Sequence, residues 1–238
     1  MRSLSNISIL LLVSAISVFG QKQDSVKKKP LDTLGMKKFI PTGIRFGTDA
    51  ISIVKSSYDD SFKGWEANMD VDFYRYYLAV DYGSWGRTWN NDNVQYKNDG
   101  KYWRAGIDVN FLTKDPEKNM FFFGARYGHS SFSEHMQIHV EDPQWGTKDE
   151  TYDYTGSAAH WFELTTGLKV KMWKFFWMGY TARYKFALKT DETNEMVASD
   201  VPGYGRADKQ SYWGFNYQLF FRIPITKGKG QQTVDPAK

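Results

Sequence analysis

No cysteine occurs anywhere in the 238 residues. Disulfides, thiol redox chemistry and a lipid-anchoring cysteine are therefore all excluded. Beyond residue 20 there is also no apolar run long enough to make a transmembrane helix, which would need about 20 consecutive apolar residues. Charge of one sign is scarce too. The formal net charge of +4 is too small to argue for nucleic acid as a partner. Only a closed β-barrel could then carry the chain through a bilayer, because every backbone polar group must be satisfied within the protein.

The apolar run that is present lies at the start. Arg2 supplies a short positive region, residues 7–19 are almost all apolar or small, and Val18-Phe19-Gly20 precedes Gln21 as a cleavage site. Residues 1–20 are expected to be a secretory signal peptide that delivers the chain to a bacterial envelope. Residues 21–41, with their basic runs Lys27-Lys28-Lys29 and Lys37-Lys38, are expected to form a flexible periplasmic linker. A barrel over 42–224 and a periplasmic tail over 225–238 complete the expected order.

Alternation of period two dominates what remains. In Trp65-Glu-Ala-Asn-Met-Asp-Val-Asp-Phe73, the residues Trp65, Ala67, Met69, Val71 and Phe73 share one face. Glu66, Asn68, Asp70 and Asp72 share the other, as on a strand. The pattern recurs over 44–54, 77–87, 102–112, 120–131, 162–170, 176–186 and 213–223, giving eight strands. Short turns are expected near 74–76, 113–119 and 172–175, and longer loops near 55–64, 88–100, 132–159 and 189–210. Short connections at one end and long ones at the other are the habit of outer-membrane barrels. Within 132–159, Met136–Val140 and Thr151–Tyr154 are expected to lengthen their hairpin above the membrane.

Which face lies inside follows from volume. More than twenty bulky apolar residues, many of them aromatic, share one face. An eight-stranded barrel has room inside only for its own side chains or one small ligand. This disfavours a soluble, ligand-carrying barrel and puts the apolar face outside. The other face carries Arg45, Arg104, Arg126, Lys169, Arg183, Lys185 and Arg222 against Asp49, Glu66, Asp70, Asp72, Asp81, Asp108 and Glu163. Seven cations balance seven anions, so these residues are expected to fill the lumen as ion pairs. The fold class is all-β: an eight-stranded antiparallel transmembrane β-barrel with a charged, side-chain-filled lumen.

Pro41-Thr-Gly-Ile-Arg-Phe-Gly-Thr-Asp49, followed by Gly64-Trp-Glu66 and Asp70, resembles a family of small Bacteroidota-type outer-membrane barrels of uncharacterised function. The architecture is similar to the transmembrane domain of the OmpA family, and the tail after Pro224 is too short for a peptidoglycan-binding domain. Arg126-Tyr-Gly-His-Ser-Ser131 looks like the Arg-Tyr-x-His-x-Ser stretch of the lipid A 3-O-deacylase family, also an eight-stranded barrel. That likeness implies an ester hydrolase with Ser131 as nucleophile, His129 as base and Glu134 or Glu141 as the orienting carboxylate. The family's serine is followed by Asn-Ala, where this chain has Phe132-Ser133.

His135 and His139 have the spacing of metal ligands on a helix, but strand or loop geometry is expected there, and no metal or cofactor is expected. The leading expectation is a non-enzymatic barrel serving a larger envelope complex, such as protein-insertion or secretion machinery. Its partners are outer-membrane lipid and other envelope proteins. Trp89, Trp145, Tyr152 and Tyr204 are the expected docking residues of its loops.

Overall fold

The computed structural model of the chain describes residues 40–142, 146–190 and 200–225. The expected signal peptide, the linker up to 39 and the tail from 226 lie outside the described residues. The strands, in chain order, are β1 (Gly43–Asp49), β2 (Phe62–Phe73), β3 (Tyr76–Asn90), β4 (Val94–Asn110), β5 (Met120–Asp142), β6 (Gly146–Trp173), β7 (Phe176–Thr190), β8 (Asp200–Val201), β9 (Gly205–Arg206) and β10 (Ser211–Pro224). One helix, α1 (Ala50–Tyr58), follows β1. Eight strands close into a barrel in the order β1-β10-β7-β6-β5-β4-β3-β2, with β8 and β9 forming a separate two-stranded ribbon. Every pairing in the ring is antiparallel, so a hairpin-by-hairpin path closes on itself when β1 meets β10.

Period-two alternation decides what each face meets. Glu66, Asp70 and Asp72 of β2 are buried, while Trp65 and Met69 between them are exposed. The same inversion holds around the ring: Leu78, Ile107, Phe123, Leu164, Tyr180 and Phe215 point out, and Asp81, Asp108, Arg126, Glu163 and Arg183 point in. A water-soluble barrel would reverse this distribution.

The short connections lie at the end where the barrel begins and finishes. Tyr74 and Arg75 join β2 to β3, and Lys174 and Phe175 join β6 to β7. Tyr74 adopts a positive φ of 66°, the left-handed conformation that tight hairpins demand. The opposite end carries the large features. β5 and β6 run for 23 and 28 residues, and their ladder continues through a bulge between Phe132 and Glu134 to Asp142↔Gly146. At about 3.4 Å per residue, this ladder runs on for roughly 30 Å past the bulge.

Three expected elements are corrected. The strand expected over 44–54 stops at Asp49, whose carboxylate caps α1 by accepting from Ser52 N–H at 3.2 Å and Ser52 Oγ–H at 2.6 Å. An N-cap aspartate satisfies orphan helix donors, which outweighs the strand-like alternation of Ile51 and Ile53. The loops expected at 88–100 and 132–159 are mostly strand. β3 and β4 pair out to Asn90↔Gln95, and β4 follows β5 as far as Val94↔Ile138.

Candidate functional site: the charged lumen and its cap

Inward positions on neighbouring strands fall at the same level, and the barrel stacks them in layers. Nearest the short turns, Asp72 accepts from Thr42 N–H and Oγ1–H at 2.7 Å, Gly43 N–H at 2.9 Å and Arg222 Nη2–H at 2.7 Å. Above it lie Tyr77, Met120, Phe122 and Phe220, all buried. Cations rest on this apolar floor: the Arg45 guanidinium is 4.7 Å from the Tyr77 ring centre and Lys169 Nζ is 4.8 Å from that of Phe220. Asp70 binds both cations, at 2.7 Å from Arg45 and 2.8 Å from Lys169.

The middle of the lumen is a continuous ionic network. Asp81 is its hub, receiving Arg126, Arg183 at 3.1 Å, Arg104 at 3.4 Å and the Asn68 amide at 2.7 Å. Glu66 accepts from Arg104 and from the hydroxyl of Tyr102 at 2.6 Å. Glu163 binds Arg183 at 3.0 Å and the Trp161 indole N–H at 2.8 Å, and Asp108 binds Arg126 at 2.7 Å. Arg45, Arg104, Arg126, Lys169 and Arg183 thus face Glu66, Asp70, Asp81, Asp108 and Glu163, none of the ten more than 3% exposed. Charges removed from water in this way are tolerable only when paired and hydrogen-bonded. These ten balance, five cations against five carboxylates; Lys185, also buried, lies outside the set.

A second apolar layer covers the network. Tyr102, Phe132, Ala159 and Trp161 pack with Val201 and Tyr204, which arrive from the β8–β9 segment folded into the mouth. Lys185 Nζ donates to the carbonyls of Gly203 and Tyr204 at 2.7 and 2.9 Å, and the Asn98 amide donates to the Asp200 carbonyl at 2.6 Å. Gly203 takes a φ of 83°, and a Cβ there would lie 2.5 Å from the Tyr102 ring, so both conformation and space favour glycine. Asp200 forms an ion pair with Arg87 at 2.7 Å without hydrogen-bond geometry. Burial raises the Asp200 carboxyl above its ordinary pKa, against the pull of Arg87.

Comparison with protein families matches residues 3–228 to the model described as "Domain of unknown function (DUF6048)". The chain belongs to this family. Comparison with curated proteins gives no match. Among solved structures, this DUF6048 chain is similar to Acinetobacter baumannii CarO2 at 12% identity and a TM-score of 0.41, covering 77% of this chain and 99% of that one. It is also similar to Ail, the attachment invasion locus protein of Yersinia pestis, at 10% identity and a TM-score of 0.39, covering 77% and 97%. Neisserial surface protein A matches at 12% identity and a TM-score of 0.35, covering 77% and 94%.

The DUF6048 barrel places the sequence-derived site residues unevenly. Asp49, expected among the lumen ion pairs, is the helix cap and also accepts from Tyr217 N–H at 3.1 Å. Lys185 spends its hydrogen bonds on carbonyls. His129 and Ser131 share the outward face of β5, but Glu134 is buried on the inward face, where Tyr96 O–H donates to it. Glu134 therefore cannot orient His129, and the side chain of Glu141 lies outside the described residues. His129 Nδ1 instead lies 3.3 Å from His160 Nδ1, and the Tyr127 hydroxyl is 2.6 Å from the latter.

His135 and His139 form cross-strand pairs with Asp153 and Asp149, the second at 2.5 Å. Among the described residues no three His, Cys, Asp or Glu side chains converge on a point. Trp89 is exposed and packs on Tyr96, with ring centres 5.6 Å apart. Tyr152 O–H donates to Glu150 at 2.7 Å, and Trp145 lies outside the described residues. Tyr204 is only 3% exposed and belongs to the cap, which corrects its expected role as a docking residue. Sequence reasoning missed Asn68, Tyr102, Trp161 and Asn216, whose Oδ1 accepts from Arg183 Nε–H at 2.6 Å, as partners of the network. Asn68 and Asn216 were detectable, since both occupy inward positions in their strands' alternation.

Proposed function

We propose that the chain is a non-enzymatic outer-membrane β-barrel, closed to ions and solutes, that serves as a structural or accessory subunit of a larger envelope complex. One observation carries the first half: the apolar wall faces out while the charged side chains are buried inside as ion pairs between two apolar layers. Such a wall is stable only against hydrocarbon, and an interior packed with buried ion pairs leaves no path for a hydrated ion.

The accessory role is supported by where the structured surface lies. The β5–β6 hairpin carries its ladder beyond the bulge at Phe132 to Asp142, holding the cross-strand His–Asp pairs on a regular scaffold. A protein-insertion or secretion machine is the kind of partner that would use a rigid, non-conducting barrel of this type. Tagged protein extracted from its own membranes after mild crosslinking tests this. Heat-modifiable mobility together with a co-purifying envelope protein is expected. A barrel that always runs alone would overturn the subunit role.

A further inference from the structure

β1 has only seven residues, and its departure into α1 leaves the ring incomplete on one side. It pairs with β10 no further than Asp49↔Gln218 and with β2 no further than Thr48↔Ala67. Above that level β2 and β10 continue to Phe62 and Ser211, their unmatched edges facing across a gap. Tyr217 N–H points into the gap toward Asp49. By the alternation of an antiparallel ladder, the backbone N–H and C=O of Phe215 and Trp213 point the same way. α1 straps the gap and is bonded to the β2 edge, where the Ser56 hydroxyl accepts from Gly64 N–H and donates to Gly64 C=O, both at 2.7 Å. A cavity of about 410 Å³ remains between α1, the cap and β10, with Trp213 and Phe215 of the outer wall among its lining residues and Glu66 and Arg104 at its inner end.

The lining has a chemical bias. Five cationic side chains and three carboxylates surround the cavity. Lys55 Nζ rests 4.2 Å from the Phe62 ring centre, and Lys185 Nζ is held by two backbone carbonyls. Trp85 Nε1–H, also in the lining, is buried without an acceptor among the described residues, and a buried donor left unpaired calls for a ligand atom. Toward the outside, Ile51, Trp213 and Phe215 are exposed and extend the apolar wall to the opening.

We propose that this side opening binds an anionic amphipath from the bilayer, with its acidic head at Lys55, Lys185 and Trp85 and its acyl chain leaving over Trp213 and Phe215. The proposal rests on the membrane reading above. The volume suits one head and the first part of one chain, since small-ligand pockets span roughly 300–1,000 Å³.

Native mass spectrometry of the full chain in dodecyl maltoside micelles, titrated with dodecyl phosphate, tests it. One dodecyl phosphate per barrel is expected, with affinity falling about tenfold in Lys55→Gln and in Trp85→Phe, the loss of one charge-assisted or buried hydrogen bond. Lys171→Gln, at the short-turn end where Lys171 pairs with Glu117, should bind as the parent does. Inorganic phosphate should give no adduct. No saturable adduct, equal binding by all variants, or equal binding of inorganic phosphate would each overturn the proposal. If the protein does not bind but remains heat-modifiable, the side opening is refuted and the barrel reading stands.

Discussion

Asp81→Asn is the most searching perturbation of the lumen. The substitution is nearly isosteric, yet it removes the charge that Arg126, Arg183 and Arg104 share. The interior then holds five cations against four carboxylates. Removing one partner from a buried ion pair costs about 3–5 kcal/mol, because the remaining charge stays desolvated. With a urea dependence of roughly 2 kcal/mol per molar, the unfolding midpoint should fall by about 2 M. The assay is urea unfolding in phosphatidylcholine vesicles, followed by heat-modifiable mobility. Asp81→Asn/Arg126→Met should recover part of the loss, since the uncompensated charge is what destabilises. Asp60→Asn, whose side chain is fully exposed, should leave the midpoint in place. If Asp81→Asn shifts the midpoint no more than Asp60→Asn does, water reaches Asp81 and the dry-lumen reasoning fails.

Lys185→Met removes both bonds to the cap, so hydrogen exchange at Tyr204 N–H, bonded to Val201 C=O at 3.0 Å, should lose protection by tenfold or more; unchanged protection would refute the tether. Asp200 is an acid whose pKa is raised above its ordinary 3.8 in the folded state. The closed cap should therefore gain stability as pH falls through that raised value, and Asp200→Asn should abolish the dependence. Exchange protection of Val201, corrected for intrinsic rates, would count against this if it fell on acidification. Gly128→Ala drives a methyl group into the Trp161 indole, and the overpacking should cost about 1–3 kcal/mol in the same urea assay; a neutral result would mean the indole yields freely. Ser131→Ala should leave lipid A mass unchanged in an expressing strain, and a mass shift that depends on Ser131 would make the barrel an enzyme.

The wall of the barrel was legible in the sequence because two solvents act on alternate residues. Trp65 and Glu66 demand opposite environments, and only a strand supplies both. Where one solvent bathes both faces, as around His135 to Val140 and Gly146 to Tyr154, the alternation weakens and a long ladder looks like a loop. Helix α1 was hidden for a different reason: Ile51 and Ile53 keep the rhythm of a strand, while the decisive signal is the short spacing from Asp49 to Ser52 that makes an N-cap. Seven cations and seven anions share the inward face in the sequence, but Asp49 caps α1 and Lys185 holds carbonyls, and the hub position of Asp81 needs the register that sets it beside Arg104. The cap could not be read at all. Nothing local to Val201, Gly203 and Tyr204 says that they fold inward, since their burial depends on Lys185, Asn98 and Tyr102 from distant strands.

The absence of cysteine gives the most direct test, because any introduced thiol is the only one in the chain. Leu164, 50% exposed on the outer wall, and Thr181, 0% exposed in the lumen, can each be replaced by cysteine in separate variants. Each is then spin-labelled or alkylated in vesicles. Leu164→Cys should be quenched by a lipid-soluble reagent and spared by a water-soluble one, while Thr181→Cys in the folded barrel should react with neither. Reaction of Thr181→Cys with the water-soluble reagent would reveal a wet lumen, and reaction of Leu164→Cys with it would take the wall out of the membrane.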